Sequence, residues 1–216
     1  MTEHVAITGT ATTTLLQAPW SASGTEVWAT PALHRLAPLL SPRVNVWFEM
    51  HPLSHTQKSA WWGWALERQP PVIMQEACPE LRRSRAYPIE AIKKSFGDYF
   101  TSSFSFMLAL AIARKVKQIS LFGIDMKAGD EYVYQRPCAE YLIGVATGLG
   151  IKVNIPEDSD LLKSSYTYGY DFGEYGKEFG AQHRMLDELA DWRSRAIEAE
   201  QLVSQNQLET QEAACL

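Results

Sequence analysis

Apolar and polar positions sort the chain into two kinds of segment. Short apolar runs closed by turn-forming residues read as strands: His4–Thr8 before Gly9, Glu26–Thr30, Val44–Glu49, Val72–Gln75, Gln118–Phe122 before Gly123, and Lys152–Ile155 before Pro156. Between them lie stretches with helical spacing, such as Leu33, Leu36, Leu39 and Leu40. Ser103 to Lys115 is apolar nearly all round and ends in two cations, the pattern of a helix buried against a sheet with its C-terminal dipole complemented. Ala139 to Leu149 predicts a second helix, closed by Gly150 as a left-handed C′ residue. After the first strand, Thr10-Ala11-Thr12-Thr13-Thr14 supplies N-cap hydroxyls ahead of Leu15, so strand, tight turn and helix start are expected there. Strands alternating with helices predict right-handed βαβ units. The fold class is α/β, a Rossmann-like, mostly parallel sheet flanked by helices.

The pattern changes after residue 163. Residues 164–176 hold four tyrosines and three glycines, which fit neither period and read as a hinge loop. From 177 to 216 apolar side chains recur at Met185, Leu189, Trp192, Ala196, Ala199 and Val203, spaced 4, 3, 4, 3 and 4. That spacing fits a coiled-coil seam through which the chain forms a homo-oligomer. It equally fits an amphipathic helix laid on its own domain, and residues 1–163 are the expected globular domain.

With 46% hydrophobic, 21% charged and 11% aromatic residues, the composition excludes disordered, collagen-like and disulfide-scaffold classes. The longest clean apolar stretch, Met107 to Ala113, is far short of the about 20 residues a membrane span needs. No basic, apolar leader opens the chain, so the expected location is the cytoplasm, that of a host if the chain is phage-encoded. Cys78, Cys138 and Cys215 are odd in number and far apart, a poor basis for a disulfide framework or a zinc knuckle. Twenty basic against twenty-five acidic side chains lack the footprint that nucleic-acid binding demands.

In a parallel sheet, ligands bind beyond the carboxyl ends of the strands, so the residues following each predicted strand carry the candidate chemistry. After the first, Gly9 and Thr10 form a glycine turn with hydroxyls, either a phosphate site or an ordinary capped turn. After the third, Glu49 and His51, with His55 beyond, can act as acid and base, orient a ribose, or simply furnish a polar loop. Their spacing fails the H-E-x-x-H zinc pattern, so no metal is assigned. Thr101, Ser102 and Ser103 open the buried helix as caps or as a second anion or ribose site. After the fifth strand, Asp125 follows Gly123, and the polar loop Asp130–Pro137 comes next. There Arg136 can clamp a phosphate and the tyrosines can stack on a base. Polar residues at 156–160 close the last strand.

The order of these residues resembles the bacterial CMP-sialic-acid-dependent sialyltransferases. FTSSFSFMLALAIARKVKQISLFGIDM is similar to that family's T-S-G helix start, alanine-rich helix and S-G-I-D strand end. GTA resembles its G-N-G-P-S nucleotide turn, VWFEMHP its V-F-Y-N-P segment, and IPEDSDLL its C-P-N-S-L-L terminus. The likeness runs from about residue 4 to 163. Phage-encoded proteins with W-F-E-x-H, F-G-x-Y-F-T-S and E-Y-x-x-Q-R-P motifs look closer still. The resemblance implies a Rossmann-like domain that takes a nucleotide donor, such as a CMP-sugar, through Gly9, Thr10, His51, Ser102, Ser103, Gly123 and Ser159, with no further cofactor required. The family's histidine base has no counterpart in EYVYQRPCAEYL, and Ala29-Thr30-Pro31 stands where the family has an asparagine. A transferase would then use Asp125 or Glu131 to take the acceptor proton; the alternative is a non-catalytic nucleotide-binding or phage assembly protein with a C-terminal oligomerisation helix.

Overall fold

The computed structural model describes residues 3–126, 130–164, 167, 170 and 190–195, the side chains of Asp130 and Glu131 excepted. Seven strands, β1 (His4–Thr8), β2 (Thr25–Ala29), β3 (Val46–Glu49), β4 (Val72–Met74), β5 (Ser84–Ala86), β6 (Gln118–Phe122) and β7 (Lys152–Asn154), form one sheet in the order β5-β4-β3-β2-β1-β6-β7. Every pairing is parallel. The helices are α1 (Pro31–Leu36), α2 (Leu53–Thr56), α3 (Ala60–Arg68), α4 (Ile89–Phe96), α5 (Ser103–Ala113) and α6 (Asp130–Gly148).

Side chains alternate between the two faces of the sheet, as the pleat requires. Val5, Ile7, Trp28, Phe48, Ile119 and Leu121 pack with Ile92 of α4, Met107–Ile112 of α5, and Leu142 and Ile143 of α6. On the other face, Ala29, Trp47, Val72 and Met74 pack with Leu33 of α1 and with Trp61 and Ala65 of α3. Both faces are thus covered, which is why strands such as Val5–Ile7 are apolar without interruption. The protein has the expected α/β Rossmann-like architecture, with its sheet wholly parallel among the described residues.

Three local expectations change. β5 joins the sheet as an edge strand although Ser84-Arg85-Ala86 carries no apolar run. The helix expected after β1 is a single 3₁₀ turn, Leu15–Gln17. The segment expected as a loop before Pro137 is helical, since α6 begins at Asp130 and carries Pro137 inside it. Cys138, Ala139, Leu142, Ile143 and Ala146 supply the buried stripe that holds this helix down, whereas Val133 and Tyr134 in its opening turns are exposed. Contact density divides the chain into Met1–Leu162 and Lys163–Leu216. The expected hinge over 164–176, apart from Ser164, Thr167 and Tyr170, and the expected helix over 177–216, apart from a helical turn at 190–195, lie outside the described residues.

Candidate functional site

The chain adds β2 to β5 on one side of β1 and then returns to place β6 and β7 on the other. The strand order therefore reverses between β1 and β6, the position where open parallel sheets present a ligand crevice. The loops leaving these two strands are stitched together. Gly9 N–H donates to the Phe122 carbonyl and Ala11 N–H to the Gly123 carbonyl, both at 2.8 Å. Gly123 N–H donates to Thr14 Oγ1 at 2.7 Å. The approach is close enough that a Cβ on Gly9 would collide with the Gly123 carbonyl oxygen and come within 2.9 Å of Ile124 Cγ1. Gly123 takes φ +64°, a left-handed conformation that glycine adopts without strain.

Above this seam lies a cleft of about 220 Å³ lined by Thr10, Ala11, Phe104, Gly123, Ile124, Asp125, Met126 and Tyr132. Asp125 is 9% exposed. Its Oδ2 accepts a hydrogen bond from Thr13 Oγ1 at 2.6 Å. Its Oδ1 is buried with no hydrogen-bond partner among the described residues. Buried polar atoms are nearly always paired, so this oxygen marks a place where a donor is missing.

Of the residues expected to form the site, Thr10, Gly123 and Asp125 line this cleft and Gly9 underlies it. Phe104 brings the N-terminus of α5 to its wall. There Ser102 is the N-cap: its Oγ accepts from Ser105 N–H at 3.3 Å, Ser105 Oγ accepts from Ser102 N–H at 3.2 Å, and Ser103 begins the helix. Ser159 is buried and sits below the cleft, donating through Oγ to the Ile124 carbonyl at 3.0 Å. It fixes the loop that carries Asp125. Arg136 faces elsewhere, with Nε donating to Glu140 Oε1 and Nη2 to the Asp160 carbonyl, both at 2.7 Å. A phosphate would have to displace these bonds. Glu131 falls in the first turn of α6, one residue before Tyr132, and its side chain lies outside the described ones.

His51 belongs to a second cleft, of about 250 Å³, shared with Leu53, Met74, Gln75, Glu76 and Cys78 at the same edge of the sheet. Its imidazole is exposed, yet it is firmly held. Glu49 Oε1, on a side chain only 4% exposed, accepts from His51 N–H at 2.9 Å and lies 2.5 Å from His51 Nδ1. The His55 ring lies beside that of His51, tilted by 40°, with ring centroids 5.1 Å apart. The carboxylate holds the His51 ring through Nδ1 while that side chain stays 60% exposed, the arrangement of a positioned proton-transfer group. Sequence reasoning missed Phe104, which lines the first cleft, and Thr13, which holds the Asp125 carboxylate beside it. Thr13 read as one of several capping hydroxyls and Phe104 as core. Among the described residues no group of three or more His, Cys, Asp and Glu gathers closely enough to hold a metal ion. Nor is any described helix long and apolar enough to cross a membrane.

No protein-family model matches the chain, and no curated protein matches it. Among solved structures, the chain is similar to the sialyltransferase CstII from Campylobacter jejuni in complex with a substrate analogue, cytidine-5′-monophosphate, at 13% identity and a TM-score of 0.35, covering 81% of this chain and 98% of that one. A point mutant described as the alpha-2,3/8-sialyltransferase CstII matches at 13% identity and a TM-score of 0.36, covering 80% of this chain and 99% of the mutant.

Proposed function

We propose that the chain is a glycosyltransferase-like protein that takes a nucleotide-activated donor, such as a CMP-sugar, in the cleft between β1 and β6. The observation that carries this reading is the unpaired, buried Asp125 Oδ1 in the wall of that cleft. A carboxylate repels phosphate but accepts from a hydroxyl or an exocyclic amine, so Asp125 takes the sugar, ribose or base. Phosphate lies instead against Thr10 and the α5 N-terminus, where helix dipole and main-chain N–H groups favour an anion. Phe104 and Tyr132 offer flat apolar faces for a base or sugar ring. At about 220 Å³ the cleft is smaller than the roughly 300–1,000 Å³ of sites that enclose a whole drug-sized ligand, so it takes part of the donor.

In the transfer step, the acceptor hydroxyl oxygen bonds to the anomeric carbon of the donor as the bond from that carbon to the phosphate oxygen breaks. The nucleotide monophosphate leaves with the electron pair, and the hydroxyl proton passes to a carboxylate, Glu131 or Asp125. Thermal denaturation against nucleoside mono- and diphosphates tests the binding half. CMP at a hundredfold excess over Kd stabilises by about 2.7 kcal/mol. A midpoint that no nucleotide moves refutes the reading. Donor hydrolysis by wild type and Glu131→Gln tests the catalytic half, since removing a general base costs about 10²-fold to 10⁴-fold in rate. Stabilisation without turnover identifies a nucleotide binder.

A further inference from the structure

At the opposite edge of the sheet, where β3, β4 and β5 begin, a cleft of about 260 Å³ gathers Arg82, Arg83, Arg85 and Arg114. This concentration is out of keeping with a chain of net charge −5. Arg82 and Arg83 come from the connection into β5 and Arg85 from β5 itself, and none of the three side chains has an ion-pair partner among the described residues. Arg114 arrives from the far end of α5 and is held in place. Its Nη1 lies 3.2 Å from Glu26 Oε2, and its guanidinium sits 5.0 Å from the centroid of the Trp28 ring. Glu26 is in turn anchored by Trp28 Nε1 at 3.0 Å.

Four arginines lining one cleft repel one another, and the Glu26 carboxylate beside Arg114 offsets a single charge. The surplus matches an anion of two or more charges, and guanidinium forks pair with phosphate oxygens two at a time. We infer that this cleft is an anion site for a phosphate-bearing small molecule of diphosphate size. Nucleic acid is the poorer fit, because the chain as a whole carries more acidic than basic side chains, twenty-five against twenty. The site stands apart from the cleft between β1 and β6, which lies beyond the opposite ends of the strands. It does not depend on the function proposed there.

The test is calorimetric titration of the full chain with pyrophosphate in a phosphate-free buffer of low ionic strength. Wild type is compared with Arg83→Ala/Arg85→Ala. Arg83 and Arg85 are exposed, so their removal leaves the core intact, and circular dichroism confirms it. The expected result is saturable binding that weakens about tenfold for each guanidinium removed, the lower end of what a charged hydrogen bond supplies. Two results overturn the inference: no binding by wild type at millimolar pyrophosphate, or binding undiminished in the double variant. A short DNA duplex that binds more tightly than pyrophosphate overturns the choice of a small anion.

Discussion

Replacing Gly9 with alanine tests whether the loops after β1 and β6 are welded as tightly as described. The added Cβ meets the Gly123 carbonyl oxygen and lies within 2.9 Å of Ile124 Cγ1. The first obstacle is backbone, and the second is the near part of a branched side chain that is 4% exposed, so neither neighbour yields cheaply. Overpacking of this kind costs about 1–3 kcal/mol, and a site with no soft neighbour belongs in the upper half of that range. Alanine also restricts the unfolded chain, which returns about 0.4–1 kcal/mol. The net expectation is a loss of about 1–2.5 kcal/mol, read as a lower urea midpoint at unchanged slope. Gly63, inside α3 with nothing within 4 Å of the place a methyl group would occupy, is the control. Gly63→Ala stabilises by about 0.5–1 kcal/mol. Gly9→Ala as stable as wild type, with Gly63→Ala behaving as expected, would refute the close approach.

Three further outcomes follow from buried polar groups. Burial, and then the Lys152 ammonium, holds the His4 imidazole below its ordinary 6.5, and burial does the same for His34. The unfolded chain therefore takes up these protons first, so stability is present above pH 6.5 and falls as pH drops through the lower folded values. Denaturation at pH 7.5 and 5.5 measures this loss, and a His4→Asn/His34→Asn variant with the same pH dependence as wild type contradicts it. Burial likewise pushes the Tyr87 phenol above 10, and its hydroxyl donates to the Phe106 carbonyl at 2.9 Å. Tyr87→Phe costs about 1 kcal/mol at neutral pH. It also removes part of the stability loss that wild type shows above pH 10, where the unfolded chain ionises first. Nitrogen-15 spectra of the His51 ring should show a proton on Nδ1 and a bare Nε2 in the neutral form. Glu49→Gln shifts that tautomer balance, and an unchanged spectrum means that the carboxylate does not orient the ring.

The strands were legible where burial on both faces left an uninterrupted apolar run, as in Val5-Ala6-Ile7 or Ile119–Phe122. Ser84-Arg85-Ala86 escaped notice because an edge strand with exposed Arg85 and Ala86 needs no apolar signature. The first turns of α6 were invisible for a related reason: Val133 and Tyr134 are 68% and 72% exposed, so no apolar period marks them, and Pro137 argues against helix. At the site, Gly9, Thr10 and Asp125 were legible because they follow strands. The Thr13–Asp125 bond was not. It links residues 112 apart and exists because β6 pairs with β1, a choice of neighbour that no local pattern encodes. Arg136 read as a free phosphate clamp because Glu140, four residues on, and the Asp160 carbonyl become its partners only once α6 and the chain after β7 are in place.

Whether the cleft between β1 and β6 takes the donor is decided by a crystal of the full chain soaked with CMP. Ordered density is expected in that cleft, with a hydroxyl or amine of the ligand within hydrogen-bond distance of Asp125 Oδ1 and its phosphate toward Thr10 and the start of α5. Density at another location, or a cleft that stays empty at saturating CMP, contradicts the proposed donor site.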